Sequence, residues 1–156
     1  MWRGIVAVLL LVAGGTSMAE ERWATAVAKN GERQIVFRYV VGFANGFDRA
    51  TQPDRIIIQW KYQSESGMPS PAERQRMEQL EDLLTPKVEA GGYSTLALVS
   101  TGENLREWIY YTTAEAGYMA RLNDALRGQP QFPIEVIRGH DPAWSTYETF
   151  RGNVKK

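Results

Sequence analysis

The chain has 156 residues, of which 44% are hydrophobic, 23% charged and 11% aromatic, and its formal net charge is +0 at pH 7. This length and composition indicate one globular domain and exclude disordered, collagen-like and coiled-coil proteins, while the balanced charge argues against a nucleic-acid partner. With no cysteine and a single histidine, the chain cannot form disulfide bonds, thiol nucleophiles or iron–sulfur clusters, and it is poorly equipped for zinc. We therefore predict no cofactor and no metal.

The first 19 residues are typical of an export signal. Arg3 supplies a basic start, residues 5–13 form an apolar run, and residues 17–19 place small side chains at a signal-peptidase site. Because a bilayer span needs about 20 apolar residues, this run is too short for a stable membrane anchor. We predict a periplasmic or secreted protein whose single domain comprises residues 20–156. The alternative is that the segment is a buried N-terminal strand or helix.

Two β-rich runs, residues 22–29 and 32–40, are separated by Asn30 and Gly31. An Asn-Gly pair between such runs predicts a hairpin with a type I′ turn, because both central residues then need positive φ. The following loop carries Phe43 and Phe47, which its turns do not require.

A third strand is predicted over residues 54–63, where polar and apolar side chains alternate. Alternation gives it one apolar face, and Ile57 lies on the opposite face with three polar residues. The members of that mixed face are Arg55, Ile57, Gln59 and Lys61.

A long helix is predicted to begin after Ser70, which can cap it, with Pro71 in the first turn and Glu73 completing a capping box. Pro86 predicts a kink or a division of this helix. The Gly-Gly pair at residues 91–92 predicts its end.

The remaining chain predicts a second hairpin, residues 93–101 and 105–112, and then a shorter helix capped by Thr113. A last strand follows over residues 132–138, and Asp141 and Pro142 are expected to open a short C-terminal helical turn. The aromatic side chains expected to pack this turn onto the domain are Trp144, Tyr147 and Phe150.

From the third strand onward this order is β-α-β-β-α-β, which predicts an α+β fold of the ferredoxin-like kind with both helices on one face of an antiparallel sheet. The N-terminal hairpin is an addition to that fold, as is the C-terminal turn. We expect the hairpin to extend the sheet or to cover part of its other face.

Four segments of the chain, residues 93–102, 106–111, 133–136 and 141–147, occur in an order and spacing that resemble a known family. The resemblance is to the bacterial domain-of-unknown-function family 695, and it covers roughly residues 22–150. It implies an α+β fold and no established activity.

Glu107 and Glu135 are the best candidates for a catalytic carboxylate pair, because their strands should flank the third strand. Two strand spacings would separate them by about 9–10 Å, near the upper end for an inverting glycosidase. The competing interpretation is a solvated ladder of charges with Arg55 and Lys61. His140 is the one side chain that titrates near neutrality, but its place beside a helix start equally suggests a surface residue.

An apolar surface is the other candidate site. Phe43, Phe47, Ile109 and Tyr111 are the predicted binding residues, the last two on the sheet face opposite the helices. The N-terminal hairpin or a partner is expected to cover that face.

Three hypotheses follow from these candidates. The leading hypothesis is a small exported module without catalysis that binds a protein partner through an exposed edge or sheet face. A further possibility is an assembly role, in which the sheet face or an edge strand forms a homodimer. The alternative is an envelope hydrolase that uses Glu107 and Glu135, with or without His140. A deep pocket that gathers the three would favour the enzyme, whereas a flat apolar face would favour the binding module.

Overall fold

The computed structural model describes the backbone of residues 5–9 and 21–154 and the side chains of residues 21–154. The rest of the predicted export signal lies outside the described residues. The strands are β1 (Ile5–Leu9), β2 (Arg22–Asn30), β3 (Arg33–Gly42), β4 (Asp54–Lys61), β5 (Ser94–Gly102), β6 (Leu105–Thr112) and β7 (Ile134–His140). The helices are α1 (Pro71–Glu89), α2 (Glu115–Leu126) and α3 (Ser145–Asn153).

The described strands form one antiparallel sheet in the order β1-β2-β3-β5-β6-β4-β7. The predicted α+β fold is confirmed, and so is the β-α-β-β-α-β order of β4, α1, β5, β6, α2 and β7. The N-terminal hairpin of β2 and β3 extends the sheet beside β5. Residues 5–9 of the predicted signal pair with the outer side of β2.

The first hairpin turns one residue later than predicted. Asn30 pairs with Arg33, so the two central residues are Gly31 and Glu32. Of these only Gly31 has positive φ, at 65°. The type I′ prediction is therefore wrong, since that turn requires positive φ at both positions.

Helix α1 begins as predicted, because the Glu73 N–H donates to the Ser70 hydroxyl at 3.2 Å. The Glu73 carboxylate, however, accepts a hydrogen bond from the Trp60 indole at 2.6 Å, which ties the helix start to β4. The predicted division at Pro86 is wrong, since the helix continues through it to Glu89. Positive φ at the two glycines then ends it.

Helix α2 is capped by a residue distant in sequence. The Glu115 N–H donates to the Asp54 carboxylate of β4 at 3.1 Å. The Thr113 hydroxyl, predicted to cap this helix, donates instead to the Tyr93 carbonyl at 2.9 Å. The beginning of β4 therefore fixes where α2 starts.

Two cores lie on opposite faces of the sheet. The first lies under α1 and α2 and contains Trp60, Trp108 and Tyr110. The second lies between the sheet and α3, so the C-terminal helix and not the N-terminal hairpin covers this face. Its fully buried members are Ala24, Ala26, Ala28, Phe37, Tyr39, Ala97, Leu98, Ile109, Tyr111, Trp144, Tyr147 and Phe150.

Candidate functional site

The carboxylate of Asp141 holds the start of α3. Its Oδ1 accepts the Ser145 N–H at 2.8 Å, and its Oδ2 accepts the Thr146 N–H at 3.1 Å and the Tyr111 hydroxyl at 2.8 Å. Burial disfavours the charge, but these donors together outweigh it and hold the pKa of Asp141 below its ordinary value. Asp141 thus acts as a capping residue, as predicted, although α3 begins at Ser145 and not at Pro142.

Trp144 fastens α3 to the sheet. Its ring is stacked on Tyr111 with centroids 4.0 Å apart, and its indole N–H donates to the Gln52 carbonyl at 3.0 Å. Trp144 has φ of 55°, a left-handed conformation that is costly for a bulky residue and is stabilised here by complete burial. The position of α3 on the sheet is therefore well determined.

Phe43 and Phe47 pack against the same tryptophan. Their rings stack on each other at 5.0 Å, and each meets Trp144 edge-on, at 5.5 and 5.7 Å. The Arg49 guanidinium lies 5.0 Å from the Phe43 ring centroid. Both phenylalanines are half-buried, so they belong to the rim of the second core and not to a free loop surface.

Beyond α3 the sheet carries an apolar strip. The register places Ile57 of β4 opposite Ile109 of β6 on one side and opposite Ile137 of β7 on the other. Ile109 is buried at the edge of α3, Ile57 is half-buried, and Ile137 is 40% exposed. Exposure of the strip thus increases with distance from the helix.

A groove of about 320 Å³ runs between α3 and the strip. Leu98 and Ile109 line it from the sheet and Phe150 from the helix. The remaining lining residues, Ser145, Thr146 and Thr149, are short hydroxyl side chains of α3. Arg55 of β4 donates to the Thr146 hydroxyl at 2.6 Å and closes one end of this region.

Polar residues border the strip on its other side. Gln59 of β4 lies opposite both Glu107 and Glu135, so the predicted flanking of this strand by the two carboxylates is confirmed. The Gln59 amide donates to Glu107 at 2.9 Å, and Lys61 forms an ion pair with Glu135 at 3.2 Å. This is a ladder of polar contacts across neighbouring strands.

His140 is not part of this border. Its Nδ1 lies 2.8 Å from the Asp54 carboxylate, at the other end of β7 and on the face of the sheet that carries α2. Five residues of strand separate it from Glu135, a distance of about 17 Å. The structure therefore does not bring His140 together with the two glutamates.

A family model described as a family of unknown function, DUF695, matches residues 21–150. The chain belongs to this family. No curated protein matches the chain. The match spans both cores of the sheet and all three helices except the end of α3, so the DUF695 domain contains the groove and its polar border.

Two of the predicted binding residues of this DUF695 domain lie inside it. Tyr111 is fully buried beneath Trp144 and hydrogen-bonded to Asp141, so it offers no surface. Ile109 is 4% exposed and lines the groove. Ser145, Thr146 and Thr149 are not among the predicted site residues, although their spacing in the last helical segment places them along one side of a helix.

The DUF695 domain also holds a half-buried carboxyl that the sequence did not indicate. Burial raises the pKa of Glu89 to about 7, the Leu96 N–H opposes this by donating to it at 2.9 Å, and the charges of Glu21 and Glu81 add to the rise. Within the described part of the chain, no group of three or more histidine, aspartate or glutamate side chains could hold a metal ion. In the same residues, no helix has the length and apolar character needed to cross a membrane.

Proposed function

We propose that this protein is an exported binding module, without catalysis, that receives an amphipathic helix of a partner protein on the open part of its sheet. The observation that carries the proposal is the apolar strip of Ile57, Ile109 and Ile137 next to the groove along α3. A helix laid in a hydrophobic groove is a recurrent mode of peptide recognition.

The dimensions of the open region suit a helix. Three neighbouring strands span two strand spacings, about 10 Å, which is close to the 10–12 Å diameter of an α-helix with its side chains. The side of α3 that lines the groove carries Ser145, Thr146 and Thr149, and short side chains allow a second helix to approach closely. The opposite face of the sheet already carries two helices side by side over the corresponding strands.

The charges at the border favour a helix with basic residues beside its apolar stripe. Glu107 lies beside the strip and accepts a hydrogen bond from the neutral amide of Gln59. Complementary charge at the rim of an interface contributes to orientation and to the association rate more than to affinity. We therefore expect a basic amphipathic helix to bind and an acidic one to bind more weakly.

The same contacts weaken the case for the envelope hydrolase. A general acid needs a carboxyl whose proton is retained near the working pH, whereas Glu135 is exposed and ion-paired with Lys61. No observation on the strip or its border favours hydrolysis over binding.

A designed leucine–lysine amphipathic peptide is a suitable probe for calorimetric titration. Ile57→Lys and Ile137→Lys should each weaken its binding about tenfold, because each removes an apolar contact and adds a like charge. Ala120→Lys, at an exposed position of α2 remote from the strip, is the matched control and should bind as the unmodified domain does. Glu107→Gln should weaken binding about threefold.

Equal affinities for all four variants, or no binding of the peptide, would contradict this site. Binding of the matching leucine–glutamate peptide with equal affinity would contradict the role of Glu107. A hydrolytic activity that is lost in Glu107→Gln and Glu135→Gln would favour the enzyme instead.

Export predicts a mature chain that begins at Glu20. Amino-terminal sequencing of the protein recovered from the cell envelope or the medium should give Glu20-Glu21-Arg22. Protein that still begins at Met1, or that is found wholly in the cytoplasm, would contradict export.

A further inference from the structure

Strand β2 has one edge that depends on the predicted export signal. On one side β2 pairs with β3 along its whole length. On its other side the described pairing is with β1, antiparallel, from Ile5 opposite Ala28 to Leu9 opposite Thr25. Removal of residues 1–19 would leave this nine-residue strand unpaired along its outer edge.

We expect the domain to keep both of its cores without β1. Every described member of the two hydrophobic clusters lies between Trp23 and Val154. An unpaired strand of this length readily pairs with another chain unless charges, proline or a bulge block it. The central part of β2, from Trp23 to Ala28, contains no charge and no proline.

We infer that the processed chain forms a homodimer in which β2 pairs with β2 of a second copy, antiparallel about a two-fold axis at Thr25. The inference rests on the export part of the proposed function and is independent of the groove. β1 shows that this edge accepts an antiparallel strand.

The segment made of β2 and the preceding Glu21 is self-complementary in this register. A two-fold axis at Thr25 places Glu21 opposite Lys29 of the second copy and Trp23 opposite Val27, and symmetry repeats each pair. On the other face only small side chains meet near the axis, since Ala24 lies opposite Ala26. An axis at Ala26 would instead place Glu21 opposite Gly31 and lose the charge pairs.

The Glu21 carboxyl is half-buried in the full-length chain. Burial raises the pKa of its carboxyl, while a hydrogen bond with Trp23 opposes the rise. A lysine directly across the interface would stabilise the charged form, because opposite charges on facing strand positions attract.

The test uses residues 20–156 produced directly without the leader, so its result does not depend on whether cells remove the leader. Sedimentation equilibrium should show a dimer. Lys29→Glu should raise the dimer dissociation constant about tenfold, because two attractive pairs become two repulsive ones. The double variant Glu21→Lys, Lys29→Glu should restore dimerisation, and thermal melts verify that each variant is folded.

Thr25→Lys should abolish dimerisation, since it places like charges on the two-fold axis. Ile137→Lys should dimerise normally, which separates this interface from the groove. A monomer at every concentration, or a dimer unaffected by Lys29→Glu and Thr25→Lys, would overturn the inference. Failure of the double variant to recover would overturn the register.

Discussion

Replacing Asp141 with alanine should lower the free energy of unfolding by about 3 kcal/mol. The substitution removes the cap of α3, and it leaves the buried hydroxyl of Tyr111 without a hydrogen-bond acceptor. The carboxylate accepts the Ser145 and Thr146 N–H groups and the Tyr111 hydroxyl. Urea unfolding at pH 7 measures the change. Because Trp144 and α3 are held through this residue, the whole second core should loosen.

Ser70→Ala is the control, since it removes an exposed cap from α1 with no buried partner and should cost about 1 kcal/mol. An Asp141→Ala loss no larger than that of Ser70→Ala would contradict the role of the buried hydroxyl. The lowered pKa of Asp141 adds a pH signature. The contribution of the Asp141 charge to the free energy of unfolding is complete above about pH 3.9, the pKa of an aspartate in the unfolded chain. It is lost as the pH falls through the lower pKa of Asp141 in the folded state.

Replacing Glu89 with glutamine should stabilise the protein by about 2 kcal/mol at pH 8 and change little at pH 5. Burial raises the native pKa of Glu89 from 4.5 to about 7. Between these two pH values the folded state therefore holds a proton on Glu89 that the unfolded state has released. Stability therefore falls as the pH rises through this range. The expected stabilisation of about 2 kcal/mol is smaller than the full free energy of such a pKa shift, because Glu89 is partly exposed to solvent.

Glutamine is a suitable replacement because its Oε1 can still accept the Leu96 N–H. Urea unfolding of both proteins at pH 5 and pH 8 measures the difference. Glu78→Gln, on the exposed side of the same helix near Arg74, serves as the control and should leave the pH dependence unchanged. Parallel pH profiles for Glu89→Gln and the unmodified protein would contradict this account.

The features that the sequence predicts correctly are those encoded by neighbouring residues. Ser70 and Pro71 mark a helix start within four residues, and alternation along residues 54–61 assigns Ile57 to the correct face. The α+β order of elements follows from the same local patterns.

Some wrong predictions, such as the type I′ turn and the division at Pro86, concern local structure. The others concern contacts between distant residues. Asp54 caps α2 although it lies 61 residues before Glu115 in the sequence. The nearby candidate, Thr113, does not cap the helix, and no short stretch of sequence contains the residue that does. Burial of Glu89 depends on the packing of α1 on β5, and burial of Tyr111 depends on where α3 lies. The groove could not be predicted because it exists only where α3 covers part of the sheet face, which the hairpin or a partner was expected to cover.

Chemical-shift mapping with the leucine–lysine peptide locates the bound helix residue by residue, and it is therefore the decisive experiment for helix binding on this face. We expect shift changes confined to the strip, its border and the facing side of α3, with Ile57, Ile137, Glu107 and Thr149 among them. Changes that cluster instead on α1 and α2, or that are absent at saturating peptide, would contradict a helix-binding function for this face.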